Sequence, residues 1–372
     1  MDNHITCEGG LGDDLVHVAT APGEARLVVI NLRGAMDGLD AVQPYGDPAL
    51  RALRGPDLSV GPEGGAFDLD GFFALHPALE TLMPLWRAGQ LSFIHAVSTP
   101  YRDRRSHFDG QDLLATGSAN RDRPDLDDRS GFLNRLVACI PGATLQLAWS
   151  SGAMRPLIAN GPAPFSNWSP TTQLGLTEAD IGLLRHVYGA DSGFALALES
   201  AVLSEAAQGG KTAARSDAAF VARQLVAEAR IATFSIDGWD THAGQAGIIA
   251  GRFRQLAQAI LTLRDGLGPV WDKTVVVVVT EFGRTARANG TGGTDHGTGG
   301  VAFLAGGAVR GGKVHGRWPG LTDLYAGRDL MPTADVRDYL AAICHAHMGV
   351  PADLLSNFVF PGASVACGLV AA

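Results

Sequence analysis

The stretch Thr274–Thr280, T-V-V-V-V-V-T, constrains this chain most: seven β-branched residues in a row, with no polar alternation. Such a run fits a strand buried on both faces, as in a parallel sheet covered by helices above and below. Where that strand ends come Glu281-Phe282-Gly283-Arg284-Thr285, and a glycine-rich loop then delivers Thr294-Asp295-His296-Gly297. Open α/β sheets bind ligands outside the carboxyl ends of their strands. Two carboxylates, a guanidinium and an imidazole fall there within 16 residues. Alone, Glu281 reads as a capping carboxylate and His296 as a hydrogen-bonded loop histidine. Placed together after a buried strand, they point to chemistry.

The same arrangement recurs along the chain. Arg26–Arg33 reads as a first buried strand, followed by Gly34-Ala35-Met36-Asp37-Gly38. A carboxylate between glycines can approach a cation closely, although D-G alone is also an ordinary turn. Leu91–Val97 reads as a strand that leads to Arg104-Arg105-Ser106-His107 and then a helical pattern. Ser106 therefore falls at a helix N-terminus, where backbone N–H groups favour an anion and a serine side chain can cap. Thr144–Ala148 reads as a third strand and Arg230–Ile236 as a fourth, the latter ending in Asp237-Gly238-Trp239-Asp240-Thr241-His242. Amphipathic spacing predicts helices over 78–89, 133–139, 251–266 and 335–348, and Val301–Ala305 reads as a further strand. Residues 154–229 form a Pro/Asn/Ser-rich and then helical block that reads as a cap or insertion in one domain spanning 24–372, with 1–23 as an N-terminal arm.

Composition narrows the class. Hydrophobic residues make up 46% and charged residues 18%, enough apolar material for a large core. A net charge of −9 without a basic face excludes nucleic acid as the expected partner. No apolar run is long enough for a membrane span, and the first residues carry no basic-then-apolar leader pattern. Cys7, Cys139, Cys344 and Cys367 lie far apart without a C-x-x-C pair, which excludes a cysteine zinc site. Their spacing leaves both disulfides and buried free thiols open.

Every cluster thus follows a strand: Asp37, Ser106-His107, Asp240-Thr241-His242, Glu281, Asp295-His296. Carboxylates and imidazoles without thiolates suit Zn, Mn, Mg or Ca. The donors are numerous enough for one or two divalent ions, and a pair of ions can clamp both oxygens of an in-line displacement.

The motifs T-V-V-V-V-V-T-E-F-G-R-T with G-G-T-D-H-G, L-R-G-A-M-D-G-L-D, and R-S-H-F-D-G-Q-D resemble the domain-of-unknown-function 1501 family, bacterial proteins of the alkaline phosphatase/sulfatase-like superfamily. The resemblance implies a three-layer α/β/α sandwich with a mostly parallel, alkaline-phosphatase-like central sheet and a metal site at its carboxyl edge. It also implies hydrolysis of a small or polymeric phosphate or sulfate ester, in the periplasm or outside the cell. By position, Asp37 resembles a ligand of one metal and Asp240 and His242 ligands of the other. Glu281 stands where the superfamily has the aspartate of its last ligand turn, His296 where its last histidine ligand falls, and Ser106 roughly where it places its nucleophile. From its own chemistry Asp295 joins the metal-ligand candidates, and Arg284, with Arg105 as the alternative, can clamp a tetrahedral anion through two parallel hydrogen bonds. Phe282 departs from the pattern, standing where a histidine is expected, and His107 is the candidate to replace that imidazole. Without a C-x-P-S-R motif, formylglycine chemistry is not expected; without a G-x-S-x-G elbow, neither is a metal-free serine hydrolase. The alternative is a degenerate relative with a binding or assembly role at the cell surface.

Overall fold

In the computed structural model, which describes residues 23–365 apart from 56–57, 59, 126–127, 170–175, 190–193, 196, 200 and 203–216, the valine run lies at the centre of a nine-stranded sheet. Its strands are β1 (Arg26–Arg33), β2 (Leu91–Ser98), β3 (Ala148–Ser151), β4 (Ser166–Trp168), β5 (Ile231–Asp237), β6 (Thr274–Thr280), β7 (Gly300–Ala305), β8 (Val314–His315) and β9 (Ala334–Asp335). The order is β8-β2-β7-β6-β1-β5-β3-β4, with β9 also on β2. The pairings are parallel except at β7, which runs against both β2 and β6. A separate three-stranded sheet joins Val42–Gln43, Ala74–Leu75 and Phe67–Asp68.

The helices that matter below are α1 (Gly38–Ala41), α2 (Ala49–Arg54), α3 (His107–Thr116), α4 (Phe132–Ala138), α5 (Glu178–Tyr188), α6 (Asp217–Val226), α7 (Gln245–Leu267) and α8 (Val336–Met348). Alternate side chains of the central strands feed two separate cores, because successive strand residues face opposite ways. Val28, Ile30, Val276 and Val278 join Phe220 of α6 and Phe253, Leu256 and Ile260 of α7 on one face. Leu27, Val29, Val275, Val277 and Val279 join Phe132 and Leu136 of α4 and Leu340 and Ile343 of α8 on the other. The expected three-layer α/β/α arrangement with a mostly parallel sheet is therefore the observed one.

Several boundaries differ from the sequence reading. The third strand starts at Ala148 rather than spanning 144–148, because the Leu147 N–H closes a turn onto Thr144 O at 3.1 Å. Within 154–229, β4 pairs with β3 in the main sheet and Phe220 of α6 is buried in a main core. Those parts are structural layers, while α5 buries none of its residues. The helical pattern over 78–89 resolves into a 3₁₀ turn, Pro77–Leu82, and a short helix, Met83–Arg87. Cys139 and Cys344 are free thiols; Cys7, Cys367 and residues 1–22 of the expected arm lie outside the described residues. Among the described residues no helix is long and apolar enough to cross a membrane.

Phe303 of β7 is fully buried and meets the Phe93 ring edge-on, centroids 4.8 Å apart. Phe303→Ala is expected to lower unfolding free energy by about 3–5 kcal/mol. The exposed Phe108→Ala should stay within about 0.5 kcal/mol; urea denaturation checks both.

Candidate metal centre

β1, β5 and β6 end in register, Arg33 beside Asp237 and Leu32 beside Thr280, so the segments that follow them emerge side by side. Gly34 makes their close approach possible. Its φ is +116°, and a Cβ there would lie 2.6 Å from the backbone nitrogen of Asp240. Its N–H donates to Glu281 Oε1 at 2.9 Å, fixing that carboxylate at the sheet edge.

Because β7 is antiparallel to β6, the chain between them turns back at the same edge. Gly283 N–H donates to Thr298 O (3.0 Å), Thr285 N–H to Asp295 O (2.9 Å) and Gly297 N–H to Gly283 O (2.8 Å). These bonds place Arg284 opposite His296. Gly283 is required here, since a Cβ would stand 1.9 Å from Gly299 O. Asn289 Nδ2 and Thr291 Oγ1 then donate to His242 O at 2.9 and 2.7 Å, which ties this loop to the exit of β5.

Three histidines converge on Asp240. His242 Nε2 is 2.9 Å and His296 Nε2 3.2 Å from Asp240 Oδ1, and His107 Nε2 is 3.4 Å from Asp240 Oδ2. The His242 and His296 Nε2 atoms are themselves 2.9 Å apart. The ligand atoms of His107, Asp240 and His296 all lie within 4.8 Å of one another. Each other ring nitrogen has its own acceptor: His107 Nδ1 at Glu281 Oε1 (2.7 Å), His242 Nδ1 at Asp295 Oδ1 (3.0 Å) and His296 Nδ1 at Arg105 O (2.7 Å). A carbonyl can only accept, and both carboxylates are ionised. Burial pushes Glu281 up, but hydrogen bonds from His107, Gln111 and Gly34 more than offset it and hold the carboxyl below its ordinary value. The hydrogen bond from His242, opposed by burial, lowers Asp295. In the neutral rings each Nδ1 therefore carries the proton and each Nε2 presents a lone pair toward Asp240. Burial lowers His107, but Glu281 and Asp240 more than offset it and hold that imidazole above its ordinary value.

That arrangement fits a cation. Without one, protons would have to be added at His107 and between His242 and His296 to relieve facing lone pairs; one divalent ion relieves them together. Imidazole ligands to metals ordinarily donate their second nitrogen to a carboxylate or carbonyl, as all three do here. Donors about 2.0–2.1 Å from a tetrahedral ion lie about 3.3–3.4 Å apart. His107 and His296 stand 3.4 and 3.2 Å from Asp240, and His242 lies nearer, 2.9 Å from both Asp240 Oδ1 and His296 Nε2. Arg284 Nη2 binds the same Asp240 Oδ1 at 2.8 Å, and burial, opposed by Arg284 and the three imidazoles, leaves Asp240 below its ordinary value.

The structure distributes the remaining expected residues differently. Glu281 stands behind His107 as its orienting carboxylate, and Asp295 stands behind His242. Phe282 stacks on His107 with centroids 5.1 Å apart, so His107 reaches the site across an apolar wall where a histidine was expected. Ser106 caps α3, its Oγ accepting from Asp109 N–H at 3.4 Å. Arg284 is fully buried beneath Asp240, with Nη2 on Asp240 Oδ1 and the Trp239 carbonyl. Arg105 binds the buried Asp329 through Nε and Nη2 at 3.1 and 3.0 Å. Asp37 is not brought to the cluster: it is buried against Arg54 and Gln245. Arg54, Gln245 and the Arg105 carbonyl were not read from the sequence. Arg54 sits in A-L-R-A-L-R, an ordinary amphipathic turn, and a carbonyl leaves no mark on residue type.

A family model described as "Protein of unknown function (DUF1501)" matches residues 190–358, the family that the sequence motifs resemble. The match includes Asp240, His242 and the whole 274–300 stretch. No curated protein matches the chain. Among solved structures it is similar to i-CgsB in complex with a neocarrahexaose, at 10% identity and a TM-score of 0.43, covering 88% of this chain and 72% of that one. It is also similar to the lipoteichoic acid synthase LtaP from Listeria monocytogenes, at 9% identity and a TM-score of 0.38, covering 89% and 76%. A mutant TAB5 alkaline phosphatase with Mg bound matches at 10% identity and a TM-score of 0.33, covering 80% and 94%.

Two outcomes follow from this geometry. Glu281→Gln should weaken divalent-cation affinity by roughly 10–100-fold while circular dichroism stays unchanged, measured by chelator competition. Burial and the neighbouring Asp37 push the Asp40 carboxyl up to about 6. The folded state therefore holds a proton that the unfolded state has lost, and stability falls as pH rises from the ordinary carboxylate range through about 6. Urea unfolding at pH 5 and pH 8 should show a smaller fall in Asp40→Asn than in the wild type.

Proposed function

We propose that the chain is a metal-dependent hydrolase of phosphate or sulfate esters, small or polymeric, with His107, Asp240, His242 and His296 holding a divalent cation. The observation that carries this reading is the convergence of three imidazole lone pairs on one carboxylate. Of Zn, Mn, Mg and Ca, a set with three imidazoles favours Zn, since Mg and Ca prefer all-oxygen surroundings. Such a cation supplies a Lewis acid for the ester oxygen and makes a neutral-pH nucleophile available.

The protein's own groups do the rest. Glu281, Asp295 and the Arg105 carbonyl hold the imidazoles in one tautomer, and Arg284 holds Asp240. Ser106 sits at the start of a ten-residue helix, whose N-terminal N–H groups favour the anionic ester. Its Oγ accepts from Asp109 N–H, which leaves the hydroxyl hydrogen free to depart. In the displacement a hydroxyl oxygen would bond to phosphorus or sulfur as the bond to the alcohol oxygen breaks, the hydroxyl proton passing to solvent and the departing oxygen taking one up to leave as the alcohol. By the resemblance, this work takes place in the periplasm or outside the cell. A second reading, a binding or assembly role, is favoured by the closed state of Asp37, which the resemblance gives to a second ion.

Protein purified without chelator should hydrolyse p-nitrophenyl phosphate or sulfate, lose turnover with a chelator and regain it with zinc. His296→Ala should abolish both the turnover and the zinc-dependent rise in Tm, with little change in the chelator-treated protein. Ser106→Ala should abolish turnover at unchanged metal content; retained turnover would assign the attack to water. Zinc-loaded wild type that turns over no ester would favour the binding role.

A further inference from the structure

We infer that this chain holds a single cation, and that Arg54 and Arg284 stand where a two-ion site would need its second. The inference rests on the metal-centre reading above and departs from the two-ion arrangement that the resemblance allows. A second ion needs carboxylates with free lone pairs, and Asp37 has none to offer. It is fully buried. Its Oδ1 accepts from Arg54 Nη2 at 2.9 Å and from the N–H groups of Leu39 and Asp40 at 3.1 and 3.2 Å. Its Oδ2 accepts from Arg54 Nη1 and from Gln245 Nε2 at 2.8 Å. A carboxylate has about four lone-pair sites, and these donors exceed them.

Glu281 is committed through one oxygen. Its Oε1 accepts from Gly34 N–H, His107 Nδ1 and Gln111 Nε2 at 2.9, 2.7 and 3.1 Å, while near Oε2 the single Thr280 hydroxyl hydrogen is shared between that oxygen at 3.0 Å and the Leu32 carbonyl at 2.9 Å. Phe282, beside it, offers a ring and no donor atom. Between these carboxylates lies Arg284, whose side chain is fully buried. Its Nη2 holds Asp240, and its charge also acts on Asp37 and Glu281. Its Nε and Nη1 have no hydrogen-bond partner among the described residues, and burial, only partly offset by the charges of Asp240, Asp37 and Glu281, lowers it from its ordinary value. Two fixed positive charges thus already offset most of the negative charge that would attract a second divalent ion.

The test is a count. Wild type, Asp37→Asn and His296→Ala are each incubated with excess zinc and magnesium chlorides, freed of unbound metal by gel filtration and analysed by inductively coupled plasma mass spectrometry. One ion per chain is expected in wild type and in Asp37→Asn, and close to none in His296→Ala. Two ions per wild-type chain would overturn the inference and leave the centre standing. So would loss of the ion from an Asp37→Asn protein whose circular dichroism is native. No ion in wild type would overturn the proposed centre itself, and this inference with it. If Asp37→Asn fails to fold, the wild-type count decides alone.

Discussion

Lone pairs of like character cannot be packed face to face without something between them, and the carboxyl edge of this sheet is arranged around that constraint. Glu281, Asp295 and the Arg105 carbonyl each claim an Nδ1 proton, which turns three Nε2 lone pairs toward the Asp240 carboxylate. Asp240 and His242 are exposed while His107 and His296 are partly buried, so the cost of facing lone pairs falls mainly on His107 and His296, where desolvated polar atoms need partners. Breaking the Arg284–Asp240 pair would leave a buried guanidinium without its carboxylate hydrogen bond, a cost that the more distant charges of Asp37 and Glu281 offset only in part.

The sheet supplies the geometry. β1, β5 and β6 are parallel and end level, so three loops open at one edge. The reversal of β7 returns His296 to that edge without a crossover, while the approach from β2 brings His107 in at the start of α3. Arg105 contributes through its backbone: its φ of +51° is in the left-handed region, an unfavourable conformation for a side-chain-bearing residue. Its carbonyl is the acceptor for His296 Nδ1, and its guanidinium is anchored on Asp329.

Much of this was legible in the residues. An unbroken β-branched run has few uses other than a doubly covered strand, so the valine strand, its neighbours β1 and β7, and β2 and β5 beyond them could be placed from pattern alone. Asp240, His242 and His296 were legible because glycine-rich loops after strands rarely gather imidazoles without a reason. The division of labour among the carboxylates was not legible. Asp37, Glu281 and Asp240 look alike in sequence, each just past a strand, yet one is closed by Arg54, one stands behind His107 and one faces three imidazoles. That distinction depends on Arg54 and Gln245, which come from other elements and carry no local signature. β4 was also hidden, being three residues long in a Pro/Asn/Ser-rich stretch, below the length at which periodicity can be read.

The central claim is tested most directly by crystallising the protein with zinc and recording anomalous difference maps on either side of the zinc absorption edge. The account predicts a peak bonded to Nε2 of His107, His242 and His296 at about 2.0–2.1 Å, with the Asp240 carboxylate completing the set. A zinc peak at Asp37 with the histidine cluster free of metal would contradict it.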